Sequence, residues 1–182
     1  MLKELKRKII ASWKHIELLE IQLEWWKRYE ATRRVGWKNA VAGLIRHVQN
    51  KSYIVIEQYR YPMGKKVLEL VAGLIDKPWL TPQEIMKEEV IEESGYRDIK
   101  NIEFLSLTSA SAWKSTELTT LYDIEVWWEK WSQKLWEMED IKLFEIPYKD
   151  FDRFLSSKAQ SWTIIDPKVC MAVYMAWEKT WY

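Results

Sequence analysis

Gly73-Leu74-Ile75-Asp76-Lys77-Pro78-Trp79-Leu80-Thr81-Pro82-Gln83-Glu84-Ile85-Met86-Lys87-Glu88-Glu89-Val90-Ile91-Glu92-Glu93-Ser94-Gly95-Tyr96 reads as a glycine-containing loop that feeds an acidic helix. Thr81 suits the N-cap, Pro82 suits the first helical position, and Glu84 completes a capping box. Gly95 suits the left-handed residue that closes a helix. Ile85, Met86 and Val90 supply a face for a core. Glu89, Glu92 and Glu93 stand at i, i+3 and i+4, so their carboxylates gather on one side. A solvated acidic face is the simplest reading of such a triplet. Like charges at this spacing repel, and these fall at the C-terminal end of the helix dipole, the wrong end for anions. A hard divalent cation relieves both problems. Mg²⁺ takes oxygens from one or two carboxylates, from water and from phosphate.

Working outward, the pattern mixes strands with a few helices. Residues 1–14 read as a short helix or an unstructured lead. His15 to Glu24 and Lys27 to Val35 read as a hairpin that turns at Trp25-Trp26. Gly36-Trp37-Lys38 is a break, dividing a lead-and-hairpin region, 1–38, from a main domain, 39–182. Ala40 to His47 and Tyr53 to Gln58 read as buried strands, and Val67 to Val71 as a short strand running into Gly73. Downstream, strands are expected at 102–108, 117–126 and 141–146, with loops at 109–116 and 127–138. A helix is expected over 147–157 with Phe151, Phe154 and Leu155 on one face. Asp166 and Pro167 open a last helix, apolar at Val169, Cys170, Val173 and Ala176. The expected fold class is α/β, a mixed sheet covered by helices.

The 182 residues suffice for one sizeable domain with or without a small appendage. A formal charge of +1 carries no bulk signature of nucleic-acid binding. No stretch is long enough to span a membrane, and Ile9-Ile10-Ala11 is too short a run for a signal peptide. The single cysteine, Cys170, has no partner for an internal disulfide, which suits a reducing cytoplasm. Its apolar surroundings in sequence predict core packing. His15 and His47 lack partners at metal-ligand spacing.

The glycine and tryptophan counts are abnormal. There are 13 Trp and 5 Gly in 182 residues, where glycine is ordinarily about 7% of a chain. Trp25-Trp26, Trp79, Trp127-Trp128, Trp131, Trp136 and Trp162 fall in polar turns, where glycine supplies positive φ. Either these are surface tryptophans that form exposed aromatic patches, or many are glycines whose UGA codons have been translated under the wrong genetic code. The composition favours the second.

The stretch at 73–96 resembles the Nudix box: Gly, five residues, Glu, seven residues, then Arg-Glu-hydrophobic-x-Glu-Glu-x-Gly-hydrophobic. Gly73, Glu89, Val90, Glu92, Glu93, Gly95 and Tyr96 carry the match. Gln58-Tyr59-Arg60-Tyr61-Pro62-Met63-Gly64 and Glu69-Leu70-Val71-Ala72-Gly73-Leu74-Ile75-Asp76 are similar to the ADP-ribose pyrophosphatase branch of that superfamily. So is Ser109-Ala110-Ser111-Ala112-Trp113-Lys114-Ser115-Thr116-Glu117, with Trp113 where the branch has glycine. Glu137-Met138-Glu139-Asp140-Ile141 resembles its acidic loop before a strand. Three departures stand out. The box has one extra loop residue, Leu80 takes the place of its first Glu, and Glu88 replaces its Arg.

The resemblance implies a Nudix α/β/α sandwich with a mixed sheet and a small N-terminal hairpin subdomain. It implies hydrolysis of the pyrophosphate bond of a nucleoside-diphosphate sugar, ADP-ribose foremost, with Mg²⁺ as the cofactor and Mn²⁺ as its substitute. Glu89, Glu92 and Glu93 and the carbonyl of Ala72 would hold the metal. Glu137 or Glu139 would be the general base, and Glu92 a further catalytic carboxylate. Arg60 is a candidate phosphate contact, suited to bidentate recognition; a structural pair with Glu69 is the alternative. Glu69 and Glu117 join the substrate-binding set. Arg34 and Tyr29 match residues that hold the adenine nucleotide, often from a partner subunit, although Tyr29 also reads as an ordinary strand aromatic. A homodimer follows from the same likeness, with no nucleic-acid or membrane partner. The departures at Leu80 and Glu88 leave room for a nucleotide-binding module with weakened or lost catalysis.

Overall fold

The computed structural model describes residues 2–127, 130–135 and 140–177, with Trp37 as backbone only. Two sheets organise the chain. The first has three antiparallel strands, β1 (Glu4–Ser12), β2 (Ile16–Leu23) and β3 (Arg28–Arg34). The second contains β4 (Ala40–His47), β5 (Ser52–Arg60), β6 (Lys65–Glu69), β7 (Val71–Leu74), β8 (Ile99–Thr108), β9 (Thr119–Val126), β10 (Ile141–Pro147) and β11 (Ile164–Ile165). Its main path is β11-β6-β5-β4-β9-β8, with β10 beside β5 and β7 beside β4. The β4–β9 and β11–β6 pairs are parallel and the others antiparallel, so the sheet is mixed as expected.

Strand β4 is the hinge of the arrangement. It runs beside β9 over its whole length. On its other edge, Ala40–Gly43 pairs with β7 and Ile45–His47 pairs with β5. That split sets Gly73 opposite Val41 and Ala72 opposite Ala42.

Helices cover both faces. Helix α1 (Pro82–Glu89) buries Ile85 and Met86 and continues through Val90 into a core with Val41, Ile45, Ile54, Ile56 and Ile124. Helices α2 (Phe151–Gln160) and α3 (Pro167–Ala176) close the opposite face, where Phe151, Val169, Ala172 and Val173 pack on Leu44, Tyr53, Val55 and Leu121. The result is the α/β/α sandwich. The capping signals are realised: Thr81 and Glu84 form a reciprocal box, and the Asp166 side chain accepts from the Lys168 N–H at 2.8 Å.

Three expectations are corrected. Residues 1–14 are not a helix or a lead: β1 pairs along β2 from Glu4↔Leu23 to Ser12↔Glu17. The single strand expected over 67–71 is two, because the chain leaves β5 at Glu69 and joins β4 from Val71 onward. Cys170 is exposed rather than packed in the core. Helix α3 buries Val169, Ala172, Val173 and Ala176, and Cys170 lies on its other side. Among the described residues no helix is long and apolar enough to cross a membrane.

Candidate functional site

The box folds so that its loop half and its helix half close on each other at β7. A Cβ built on Gly73 would overlap the carboxylate of Glu89, so glycine is what lets that side chain lie across the strand. One residue earlier, the Ala72 N–H donates to Glu93 Oε2 at 3.2 Å. Two carboxylates from the helix thus meet two consecutive residues of the strand. After α1 the helix widens into a π-helical turn, Val90–Ser94, which ends at Gly95 in the left-handed conformation with φ 80°. Wide turns of this kind are frequent at functional sites. Within this turn Glu93 is buried while Glu92 stays half-buried.

These groups line one cavity of about 520 Å³. Glu89, Glu92, Glu93 and Asp76 form its acidic side, and Arg34, Arg60 and Lys168 bring positive charge to it. Arg60 is clamped by Glu69, with its Nε 2.9 and 3.0 Å from the two carboxylate oxygens. The structural pairing anticipated for Arg60 is therefore present, while the guanidinium still lines the cavity. Burial works against its charge, yet Glu69 foremost, then Glu93 and Asp166, hold its pKa above the ordinary arginine value. Arg34 pairs with Glu117, and both line the cavity.

The N-terminal sheet reaches the site through the 111–117 segment. The Thr32 N–H donates to the Lys114 carbonyl at 2.8 Å, and the Thr116 N–H to the Thr32 carbonyl at 3.0 Å. Strand β3 therefore sets where Glu117 stands. The Tyr29 hydroxyl donates to the Trp113 carbonyl, and Tyr29 is not part of the cavity lining.

The departures from the box have a structural counterpart. Lys77, in the loop, pairs with Glu88, on the helix. The loop brings the cation and the helix brings the anion. Glu88 first, with Glu92 and Glu89 beyond it, raises the Lys77 pKa. Leu80 packs against the core beneath α1 instead of offering a carboxylate.

Glu137 and Glu139 lie outside the described residues. The segment leading toward them is tied to the box: the Lys134 N–H donates to the Glu92 carbonyl at 2.8 Å, Gln133 Nε2 to the Glu93 carbonyl at 2.5 Å, and the Trp131 N–H to the Gly95 carbonyl at 2.9 Å. Asp76 and Thr119 line the cavity without having been expected there, and so do Gln58 and Lys168. Gln58 is buried, and its Oε1 has no hydrogen-bond partner among the described residues. It shares a strand face with Arg60, so the period of two in β5 could have found it. Lys168 is delivered by the start of α3, where β11 docks on β6, and nothing local in its sequence marks it.

The donor set suits a hard cation. It is all oxygen, and Glu89 and Glu93 converge on adjacent residues. Among the described residues no three acidic, histidine or cysteine side chains form a closed metal-binding group. Mg²⁺ does not need one, since one or two carboxylates suffice when water and phosphate complete its shell.

Comparison with known proteins gives three findings. No family model matches the chain. A Caenorhabditis elegans protein carrying the name nudix hydrolase 2 is 53% identical over 49 residues, which is 26% of this chain and 22% of that protein. The solved structure of an ADP compounds hydrolase superposes with a TM-score of 0.67 and 17% identity, covering 97% of this chain and 92% of that one. The first likeness is local and the second is one of fold. Together they uphold the resemblance to Nudix hydrolases and the sandwich architecture.

Proposed function

We propose that the chain is a Mg²⁺-dependent pyrophosphohydrolase of nucleoside-diphosphate sugars, with Mn²⁺ able to replace Mg²⁺, and that it splits ADP-ribose and water into AMP and ribose 5-phosphate. One observation carries the reading: the three box glutamates, Glu89, Glu92 and Glu93, face the same cavity as Arg34 and Arg60. A bound pyrophosphate needs cationic partners, and a carboxylate cluster needs a counter-ion that phosphate can share. Glu89, Glu93 and Glu92, with the Ala72 carbonyl, would hold the metal, which when bound neutralises phosphate charge and favours attack by water. Arg60, kept in place by Glu69, binds phosphate oxygens. Arg34 and Glu117 shape the nucleoside end, and the buried Oε1 of Gln58 is an acceptor for a substrate hydroxyl. Glu137 or Glu139 takes the proton of the attacking water. The bond between bridging oxygen and phosphorus breaks, and the leaving phosphate carries off the electron pair.

The N-terminal sheet exposes Leu5, Ile9 and Ile16. In this reading it forms the homodimer contact, which sedimentation of the purified chain tests. Function itself is tested by a hydrolysis screen of nucleotide sugars with Mg²⁺ and product identification. AMP and ribose 5-phosphate from ADP-ribose support the proposal. Binding across the panel without turnover of any member would replace it with the nucleotide-binding module.

Two side-chain predictions follow from the box. Gly73→Ala places a methyl group where the Glu89 carboxylate lies. The side chain must swing away, and a misplacement of this kind costs about 10²-fold in kcat. Far-UV circular dichroism should be unchanged, because the clash is with a movable side chain; full activity in the variant would contradict the placement of Glu89. Lys77→Glu sets like charges against Glu88 and should lower kcat/KM about tenfold. Adding Glu88→Lys restores the pair with reversed polarity and should recover most of the loss. A double variant no better than the single one would mean that this pair does not hold the loop.

A further inference from the structure

Left-handed backbone is where glycine belongs, and in this chain tryptophan occupies much of it. Among the described residues the non-glycine residues with positive φ are Trp25 (63°), Trp26 (61°), Lys51 (50°) and Trp162 (58°). Two defined motifs account for the tryptophans.

The first is the tip of the β2–β3 hairpin. The strands pair in unbroken register from Ile16↔Arg34 to Gln22↔Arg28, and the Leu23 N–H closes on the Lys27 carbonyl at 2.8 Å. Between them lie Glu24 and two successive left-handed residues, Trp25 and Trp26; in hairpin turns, successive positive φ is supplied chiefly by Asn-Gly and Gly-Gly. The second is the end of α2. The Trp162 N–H donates to the Ala159 carbonyl at 3.0 Å, and the Thr163 N–H to the Lys158 carbonyl at 3.0 Å. That pair of bonds is a Schellman motif with Trp162 at the C′ position, which is usually glycine. For an L-residue with a Cβ the left-handed conformation crowds the following carbonyl, and it is rare for bulky side chains. Packing does not compensate: Trp25, Trp26 and Trp162 are 80%, 88% and 88% exposed.

We infer that Trp25, Trp26 and Trp162 are glycine in the protein as its source makes it, their codons being UGA read there as glycine. Backbone geometry, exposure and composition meet at these positions: 13 Trp stand against 5 Gly. Trp79 and Trp113 are exposed as well but lie outside the left-handed region, so their backbone demands no glycine. The aromatic surface at the hairpin tip is then a product of translation under the standard code, not a docking surface.

The codons and the source protein test this directly. UGA at the three positions, with glycine in the corresponding peptides by mass spectrometry, supports it. UGG codons, or tryptophan in those peptides, overturns it. The recombinant chain gives a second readout: Trp25→Gly/Trp26→Gly/Trp162→Gly should raise Tm by about 5–10 °C by relieving three left-handed residues. Trp79→Gly, where no such relief exists, should not raise it. A triple variant no more stable than its parent, or an equal gain from Trp79→Gly, would count against glycine at these sites.

Discussion

Glu93→Gln should abolish most turnover while leaving the fold standing. Glu93 is buried, and its carboxylate accepts from the Ala72 N–H. Glutamine keeps the length of the side chain, and its carbonyl oxygen can still accept that hydrogen bond. What disappears is the negative charge at the point where the helix meets β7. If that charge holds Mg²⁺ against the substrate phosphates, kcat should fall about 10³-fold, equivalent to about 4 kcal/mol of transition-state stabilisation. A second readout separates a metal site from a structural role. A ligand that binds only the folded state raises stability by about 2.7 kcal/mol at a concentration 100 times its Kd. Mg²⁺ should therefore raise the Tm of the parent chain and do much less for Glu93→Gln. Turnover within tenfold of the parent, or an equal Mg²⁺ effect on both proteins, would remove Glu93 from the site.

The site was legible where its residues are consecutive. Thr81, Pro82, Glu84 and Gly95 fix the ends of one helix by local rules, and Glu89, Glu92 and Glu93 follow from helical spacing. Arg60 and Glu69 belong to neighbouring strands joined by a tight connection, so their pairing was also within reach of sequence. The π-helical turn was not legible, because no local signal separates it from a regular helix. Lys168 enters the cavity only because a two-residue parallel strand seats the start of α3 beside β6. β1 was read as a helix or lead because its runs Lys6-Arg7-Lys8 and Ile9-Ile10-Ala11 break the alternation that marks a strand, and its pairing depends on a partner strand beyond the Trp13-Lys14-His15 turn. Cys170 was misplaced because α3 is apolar on more of its circumference than the core covers. Reading any apolar position as buried fails on such a helix.

The charge buried deepest on the far face of the sheet escaped the sequence reading, and it underlies the largest stability effect expected here. Strand 40–47 reads as apolar, yet Arg46 is 3% exposed and lies beside Asp123, which is 1% exposed. Their bonds are bidentate, Nε to Oδ1 at 2.6 Å and Nη2 to Oδ2 at 2.7 Å, and Nη2 also reaches Glu125 at 2.7 Å. The parallel register of β4 and β9 sets Arg46 opposite Glu125 and one step from Asp123 on the same face. Burial alone would depress the Arg46 pKa, but Asp123 and then Glu125 raise it above the ordinary value, so the guanidinium stays charged. Arg46→Met should therefore cost about 3–5 kcal/mol, because it strands the Asp123 carboxylate in the interior. For a domain of this length that is a fall in Tm of about 6–20 °C. Replacing both partners, Arg46→Met with Asp123→Leu, removes the stranded charge and should recover most of the loss. Thermal or urea unfolding of the parent, the single and the double variant forms the test. A single variant within 1 kcal/mol of the parent would mean that water reaches Asp123. A double variant as unstable as the single one would mean that packing, rather than uncompensated charge, sets the cost. Because β4 also carries β7 and so aligns Ala72 and Gly73, the single variant should lose activity at temperatures well below its unfolding midpoint.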